Sequence, residues 1–264
     1  MSAWLTYVVF VVFVVLTSTA LFFFTLTRGA ILWRGAVGRL QHDSAHVYPI
    51  YSNMRLIRLV DWQPIISAIL LFQYSRLVSI ITHSMQHTPL QGKKMLVTSC
   101  AFGNVMPRVA QAAFQAGAAK LLVADIIQNE LDHARSKLTA YADKTQYLRE
   151  NATAMTLPDG SVDANVMFFL LHELPHPLKV DALNEAVRVL APGGKLYLGE
   201  FHRPRPWLFR LMSWTYFKVF EPYGLALWNT HDPVIQLGAM PGITVERHVV
   251  FLGNFQVIVA TKAG

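Results

Sequence analysis

Val97-Thr98-Ser99-Cys100-Ala101-Phe102-Gly103-Asn104 joins the apolar run Lys94–Ser99 to Val105–Gln115, whose apolar residues recur at helical spacing. A buried strand, a tight turn and a helix in that order put the turn at the carboxyl edge of a parallel sheet. Glycines in such a turn ordinarily let a ligand come close to the backbone. A regular loop of this kind reads G-x-G-x-G after an acid. Here Val97 takes the place of the acid, Ser99 and Ala101 those of the first two glycines, and Gly103 alone is kept. The turn is in the right place for a ligand loop and carries almost the wrong residues for one.

Downstream of it, strands and helices alternate. Leu121–Ala124 reads as a second strand ending in Asp125, Glu130–Tyr141 as an amphipathic helix, Tyr147–Leu148 as a third strand and Val162–Leu171 as a fourth. Val180–Leu190 is a helix stopped by Pro192-Gly193-Gly194, and Lys195–Phe201 is the fifth strand. Ile243–Phe251 and Phe255–Thr261, joined through Gly253-Asn254, make a closing hairpin. The expected fold is α/β, with a mainly parallel sheet covered on both faces. Upstream, residues 48–87 read as one or two helices. Their apolar run Ile65–Phe72 is too short to span a bilayer.

The chain has 264 residues, 53% of them hydrophobic and 15% charged, with a positive mean hydropathy. Much of that excess lies between Ser2 and Thr27, which contain no charged residue. As a helix this stretch would be roughly 39 Å long, enough to cross a ~30 Å hydrocarbon core. A cleaved signal peptide would need a positive segment before a shorter apolar run. Instead Arg28, Arg34 and Arg39 follow it. A single-pass anchor is therefore expected over 1–27, with the catalytic part on the cytoplasmic side of the inner membrane. Residues 28–91 are then a juxtamembrane and helical segment, and 92–264 the ligand-binding domain, with an insertion at 205–240. The formal charge of +7 suits a domain lying against anionic lipid. No basic run with interleaved aromatics points to nucleic acid. One cysteine excludes an internal disulfide and a multi-cysteine zinc site, and Cys100 reads as a buried thiol.

Open α/β sheets bind ligands beyond the carboxyl ends of their strands, which selects four corners. The first is Ser99, Cys100, Gly103 and Asn104. Asp125 is the second, an acid able to accept hydrogen bonds from both hydroxyls of a ribose, or else a helix cap. The third is Asn151 and Ala152, and the fourth runs from Phe169 to Glu173. His172-Glu-Leu-Pro-His176 satisfies the H-E-x-x-H pattern of zinc peptidases, but Pro175 and Pro177 forbid the continuous helix that pattern requires. The segment reads as a strand end, a loop and a helix start. His172 and Glu173 remain candidates for proton transfer or metal binding. Glu200 and His202 are two apart at the end of the fifth strand, and His202, nearer the mouth, is the expected catalytic member. His83 and His87 are four apart with no third ligand nearby. Arg205–Tyr223 mixes Trp, Phe, Leu and Met with Arg210 and Lys218, as an interfacial or lid helix does.

Phe168-Phe-Leu-Leu-His-Glu-Leu-Pro175, Glu185-Ala-Val-Arg-Val-Leu-Ala-Pro-Gly-Gly194, Glu200-Phe-His-Arg-Pro204 and Phe220-Glu-Pro-Tyr-Gly-Leu-Ala-Leu-Trp228 resemble the rhodoquinone-biosynthesis methyltransferase-like family. Cys100-Ala-Phe-Gly-Asn104 with Pro107-Arg108 looks like that family's own degenerate loop. The resemblance runs from about Tyr48 to Trp228. It implies the Rossmann-like seven-stranded sheet of class I S-adenosylmethionine (SAM) methyltransferases, with Asp125 on the ribose and Asn151 on the adenine. It also implies a lipid-soluble quinone substrate, ubiquinone, in which a ring methoxy is replaced by an amino group. SAM is then the nitrogen source, and a divalent metal such as manganese is needed. The missing acid at Val97 would leave the amino group of SAM available to react. The long N-terminal anchor and Asn104, where an acid stands in some relatives, depart from the pattern. A conventional methyltransferase acting on a quinone precursor or lipid, and a non-catalytic scaffold of a quinone-biosynthesis complex, are the alternatives.

Overall fold

The computed structural model describes residues 4–18, 54–219 and 221–264. Two compact units, 1–50 and 51–264, divide the chain. In the first, α1 (Trp4–Ser18) is a short apolar helix with Trp4, Tyr7, Phe10 and Phe13 exposed. The remainder of the expected anchor and the juxtamembrane stretch, residues 19–53, lie outside the described residues. Among the described residues no single helix is long and apolar enough to cross a membrane.

The second unit opens with three helices, α2 (Met54–Val60), α3 (Gln63–Ile69) and α4 (Tyr74–Gln86). A sheet of seven strands follows: β1 (Lys94–Thr98), β2 (Lys120–Asp125), β3 (Thr145–Arg149), β4 (Val162–Phe168), β5 (Leu190–Phe201), β6 (Ile243–Val250) and β7 (Phe255–Lys262). Their spatial order is β3-β2-β1-β4-β5-β7-β6. The first five are parallel neighbours, and β7 runs antiparallel to both β5 and β6. This is the expected seven-stranded α/β sheet. The strand order reverses between β1 and β4, so the ligand mouth lies over their carboxyl ends.

Helices α5 (Val105–Gln115) and α6 (Gln128–Lys137) join α4 on one face of the sheet. Tyr74, Leu77, Val109 and Leu131 from these helices enter a core shared with Val97, Val123 and Val166. Helix α7 (His176–Arg188) and the short α9 (Pro233–Gly238) cover the other face, with Leu183 and Leu237 packed with Leu196 and Ile258. The central strands are buried on both faces, and β4 is apolar apart from Asp163 and Asn165, whose Oδ1 accepts from the Thr98 hydroxyl. On edge strand β6 exposed Thr244, Glu246 and His248 alternate with half-buried residues, a pattern that discourages edge pairing.

Several boundaries differ from those expected, each for a local reason. Strand β4 stops at Phe168 because Phe169 takes φ +55°, after which Leu171–Glu173 form a single 3-10 turn. Helix α7 begins at His176, with Pro175 at its N-cap and Pro177 in the first turn, so H-E-x-x-H is broken as the prolines require. Helix α6 ends at Lys137, and a kinked 3-10 segment (Thr139–Lys144) replaces its expected last turn. Helix α8 (Trp207–Val219) occupies the insertion after β5.

Candidate active site

The loop after β1 keeps two left-handed positions although only one of its three expected glycines remains. Ser99 has φ +70° and Gly103 φ +78°, both in the left-handed region that favours glycine. A Cβ at Gly103 would fall 2.5 Å from the Tyr74 hydroxyl, which explains why this glycine alone is kept. Asp125, 6% exposed at the end of β2, holds the loop from beneath. Its Oδ2 accepts from the Cys100 amide at 2.7 Å and the Ser99 hydroxyl at 3.3 Å, and its Oδ1 accepts from the Ile127 amide at 2.8 Å. Burial pushes this carboxyl up, while those amides and the hydroxyl pull it down. Burial, with the charge of Asp125, raises the Cys100 thiol well above its ordinary range, as suits an inert buried cysteine.

The loop's outward amides are met by the helices that precede the sheet. Asp61 Oδ1 accepts from the Gly103 amide at 2.7 Å, and Gln63 Oε1 from the Asn104 amide at 3.1 Å. The Tyr74 hydroxyl oxygen accepts from the Val105 amide at 2.6 Å and donates to the Phe102 carbonyl at 2.9 Å. Lys137 Nζ bridges Asp61 Oδ1 and the Ala101 carbonyl, and His133 Nε2 lies 3.1 Å from Asp61 Oδ2. Asp61, Gln63 and Tyr74 thus form a side-chain cap over the first turn of α5. Composition and spacing gave no sign of it, because the partners are 28 to 42 residues apart.

At the third corner Asn151 Oδ1 accepts from both the amide and the hydroxyl of Thr153, at 3.0 and 2.9 Å. The carbonyl expected to face an adenine is therefore engaged in its own turn, with Ala152 beside it. At the fourth, Glu200 is fully buried and receives His172. His172 Nδ1 lies 3.1 Å from Glu200 Oε1, and the His172 amide donates to Oε2 at 3.2 Å. Burial alone would push the imidazole down, but the charge and hydrogen bond of Glu200 hold it up at about 9. With Nδ1 taken, Nε2–H is what this ring offers to a substrate. The Phe169 and Phe201 rings stand 6.0 and 4.8 Å from it, edge-on, and Phe217 lies 5.0 Å from Phe201.

His202 lies elsewhere. The strand ends at Phe201, and His202 Nδ1–H donates to the Gly253 carbonyl at 2.9 Å while its amide donates to the Asn254 carbonyl. Burial pushes its imidazole down. The residue brought to His172 is Glu200, which stands in register just beyond the Phe168–Gly199 pair of β4 and β5. Lys179 is fully buried with its ammonium on the carbonyls of Leu171 and Leu174, which fixes the turn bearing His172 and Glu173. His83 and His87 stack edge-to-face at 4.9 Å. Among the described residues no three His, Cys, Asp or Glu side chains are gathered to hold a metal ion.

On the outer side of α8, Trp207, Leu208, Leu211, Met212 and Trp214 are exposed. Beside them Arg203, Arg210 and Trp228 line a groove of about 390 Å³.

Solved structures share this fold. An O-methyltransferase family protein from Burkholderia thailandensis superposes with a TM-score of 0.61 at 10% identity, over 81% of this chain and 62% of that one. The YcgJ protein from Bacillus subtilis does so at 0.57 and 11%, over 72% and 99%. In sequence, a demethylmenaquinone methyltransferase of Clavibacter sepedonicus is 31% identical over 51% of each chain. The ubiquinone/menaquinone biosynthesis C-methyltransferase UbiE of Roseobacter denitrificans is 29% identical over 54% of this chain and 57% of its own. The match thus spans about half the length of these relatives. The model of the ubiE/COQ5 methyltransferase family matches residues 63–231, from the Gln63 cap into the insertion that carries α8, and the chain belongs to that family.

Proposed function

We propose that the chain is a membrane-held, SAM-dependent enzyme that replaces a ring methoxy of ubiquinone with an amino group, giving rhodoquinone. The observation that carries this reading is the loop itself. Ser99 and Gly103 both hold the left-handed conformation that suits glycine in such a loop, while position 97, where the acid that grips the amino group belongs, is an apolar residue in the core. A loop that had merely decayed would have no reason to keep a strained φ at a serine. The quinone class comes from the relatives named for ubiquinone and menaquinone biosynthesis. The aromatic surround of His172 suits a planar ring.

Ser99–Asn104 and Asp125, with Asn151 and Ala152 beside them, are the residues that would hold SAM, the left-handed turn at Ser99 and Gly103 leaving the backbone open to it. When bound, SAM would supply the transferred group. His172 stays protonated at neutral pH and can donate to the quinone oxygen or to the departing methoxy, and Glu200 holds it in place. The divalent metal implied by the resemblance finds no group of three His, Cys, Asp or Glu side chains to hold it among the described residues. The exposed face of α8 and the apolar stretch 2–27 would hold the enzyme at the inner membrane, where its substrate resides. The test is to incubate membranes bearing the protein with ubiquinone and labelled SAM and to analyse the quinone by mass spectrometry. Exchange of methoxy for amino supports the proposal. A gain of one methyl assigns ordinary methyl transfer, the reaction named for its relatives, and an unchanged quinone a scaffold.

A further inference from the structure

Glu130 lies in the first turn of α6 and is 2% exposed. Its Oε1 is buried and meets no hydrogen-bond donor among the described residues. Burying an acid without a partner is strongly unfavourable, and folds retain such groups where a ligand or a reaction uses them.

Its surroundings define where it sits. Asp125 at the end of β2, Asp61 in the cap, Lys137 on α6 and Glu173 beyond β4 all act on its carboxyl, which in turn acts on Cys100 in the loop. These groups belong to the carboxyl ends of β1, β2 and β4 and to the cap over them, the corner where an open sheet takes its ligand. Lys137 is already bound by Asp61 and Ala101, and His133 also turns to Asp61. The corner is therefore acidic within a chain of formal charge +7. Burial, with the charges of Asp125, Asp61 and Glu173, outweighs Lys137 and pushes the Glu130 carboxyl up to about 8. An acidic corner with an unpartnered carboxyl oxygen is complementary to a cation, and SAM carries two positive centres, its ammonium and its sulfonium.

We propose that Glu130 receives the ammonium of SAM, drawing it toward α6 and away from the place an acid at position 97 would give it. The inference rests on SAM being the ligand of this corner. It makes Glu130 a binding residue whose carboxyl gives up its proton to solvent when the cation arrives.

Calorimetry of the full chain tests it with three probes. S-adenosylhomocysteine has the ammonium without the sulfonium, SAM has both, and 5′-methylthioadenosine has neither. At pH 7 the wild type should release close to one proton on binding SAM or S-adenosylhomocysteine, read from the enthalpy in buffers of different ionisation heat. In Glu130→Gln that release should vanish and S-adenosylhomocysteine should bind about 10- to 100-fold more weakly, with 5′-methylthioadenosine unchanged. Glu130→Met should show the same loss of affinity together with a raised Tm, since it removes an unpaired buried acid. Unchanged affinity and proton release in Glu130→Gln would overturn the inference. So would equal losses for S-adenosylhomocysteine and 5′-methylthioadenosine, because the defect would then lie away from the amino-acid end. A wild type that binds none of the three overturns the SAM reading itself.

Discussion

Ser99 occupies the left-handed region at φ +70°, a conformation that costs a residue with a Cβ about 1 kcal/mol. Its hydroxyl and the Cys100 amide both reach Asp125, so the loop and the acid beneath it are one unit. Asp125→Ala should therefore have two consequences. SAM affinity should fall roughly 30- to 1000-fold, about 2–4 kcal/mol, and Tm should drop as the Cys100 and Ile127 amides lose their acceptor. Calorimetry and thermal melts check the two separately, and an unchanged affinity would remove Asp125 from the ligand corner. The His172–Glu200 pair makes a prediction in pH. The imidazole is held up at about 9 in the fold, above its ordinary 6.5. The pair's contribution to stability is then complete below about pH 6.5 and is lost as pH rises toward 9. Wild-type Tm should decline across that window more steeply than that of His172→Gln, and parallel profiles would show that the pair is not coupled to folding. The position of Asp125 was legible because it ends β2, whereas His172 lies past the end of β4, in the turn Leu171–Glu173. The choice of His202 over Glu200 was not, because it depended on where β5 ends, and the chain leaves the sheet at Phe201.

Among the elements, α5 was readable to its last residue because its apolar spacing and its flanking strands agree. Strand β4 was overextended because Phe168–Leu171 is apolar throughout, and a buried strand and a buried turn look alike in composition. The cap made by Asp61, Gln63 and Tyr74 was invisible, since its bonds depend on tertiary approach. Helix α8 was legible as amphipathic, and the structure leaves its apolar face exposed. Trp207, Leu211 and Trp214 recur at helical spacing on that face, 73%, 52% and 46% exposed, too large an apolar patch for a surface left to water. Arg203, Arg210 and Lys218 accompany them. Replacing Trp207, Leu211 and Trp214 together by Ser should lower partition into vesicles containing anionic lipid by about tenfold or more and leave Tm nearly unchanged. Vesicle sedimentation in low and high salt reads both the apolar and the charged part. Undiminished partition of the variant would free α8 from that role.

At the scale of the whole molecule, the proposed ligand corner is assembled from three distant parts of the chain: the cap from the helices before the sheet, the loop after β1, and the acids on α6 and beyond β4. Val97 is not a vacancy in this arrangement. It is 4% exposed, pairs in register with Val123 and Val166, and belongs to the main apolar core. A carboxylate there would be buried among hydrocarbon at a cost of several kcal/mol unless a cation meets it. Restoring the regular loop therefore separates two effects that a single variant would confound. Ser99→Gly with Ala101→Gly relieves strain and opens the backbone, so this double variant should bind SAM at least as well as the wild type and form the same product. Adding Val97→Asp should lower Tm in the absence of ligand. It should also tighten SAM by gripping its ammonium, and abolish the aminated quinone. Tighter binding of that kind stabilises the ground state and does nothing for the chemical step. Thermal melts with and without SAM, and mass spectrometry of the quinone, follow both variants together. A triple variant that makes rhodoquinone at the wild-type rate or faster would show that the apolar residue at 97 serves the core alone and has no part in choosing which group leaves SAM.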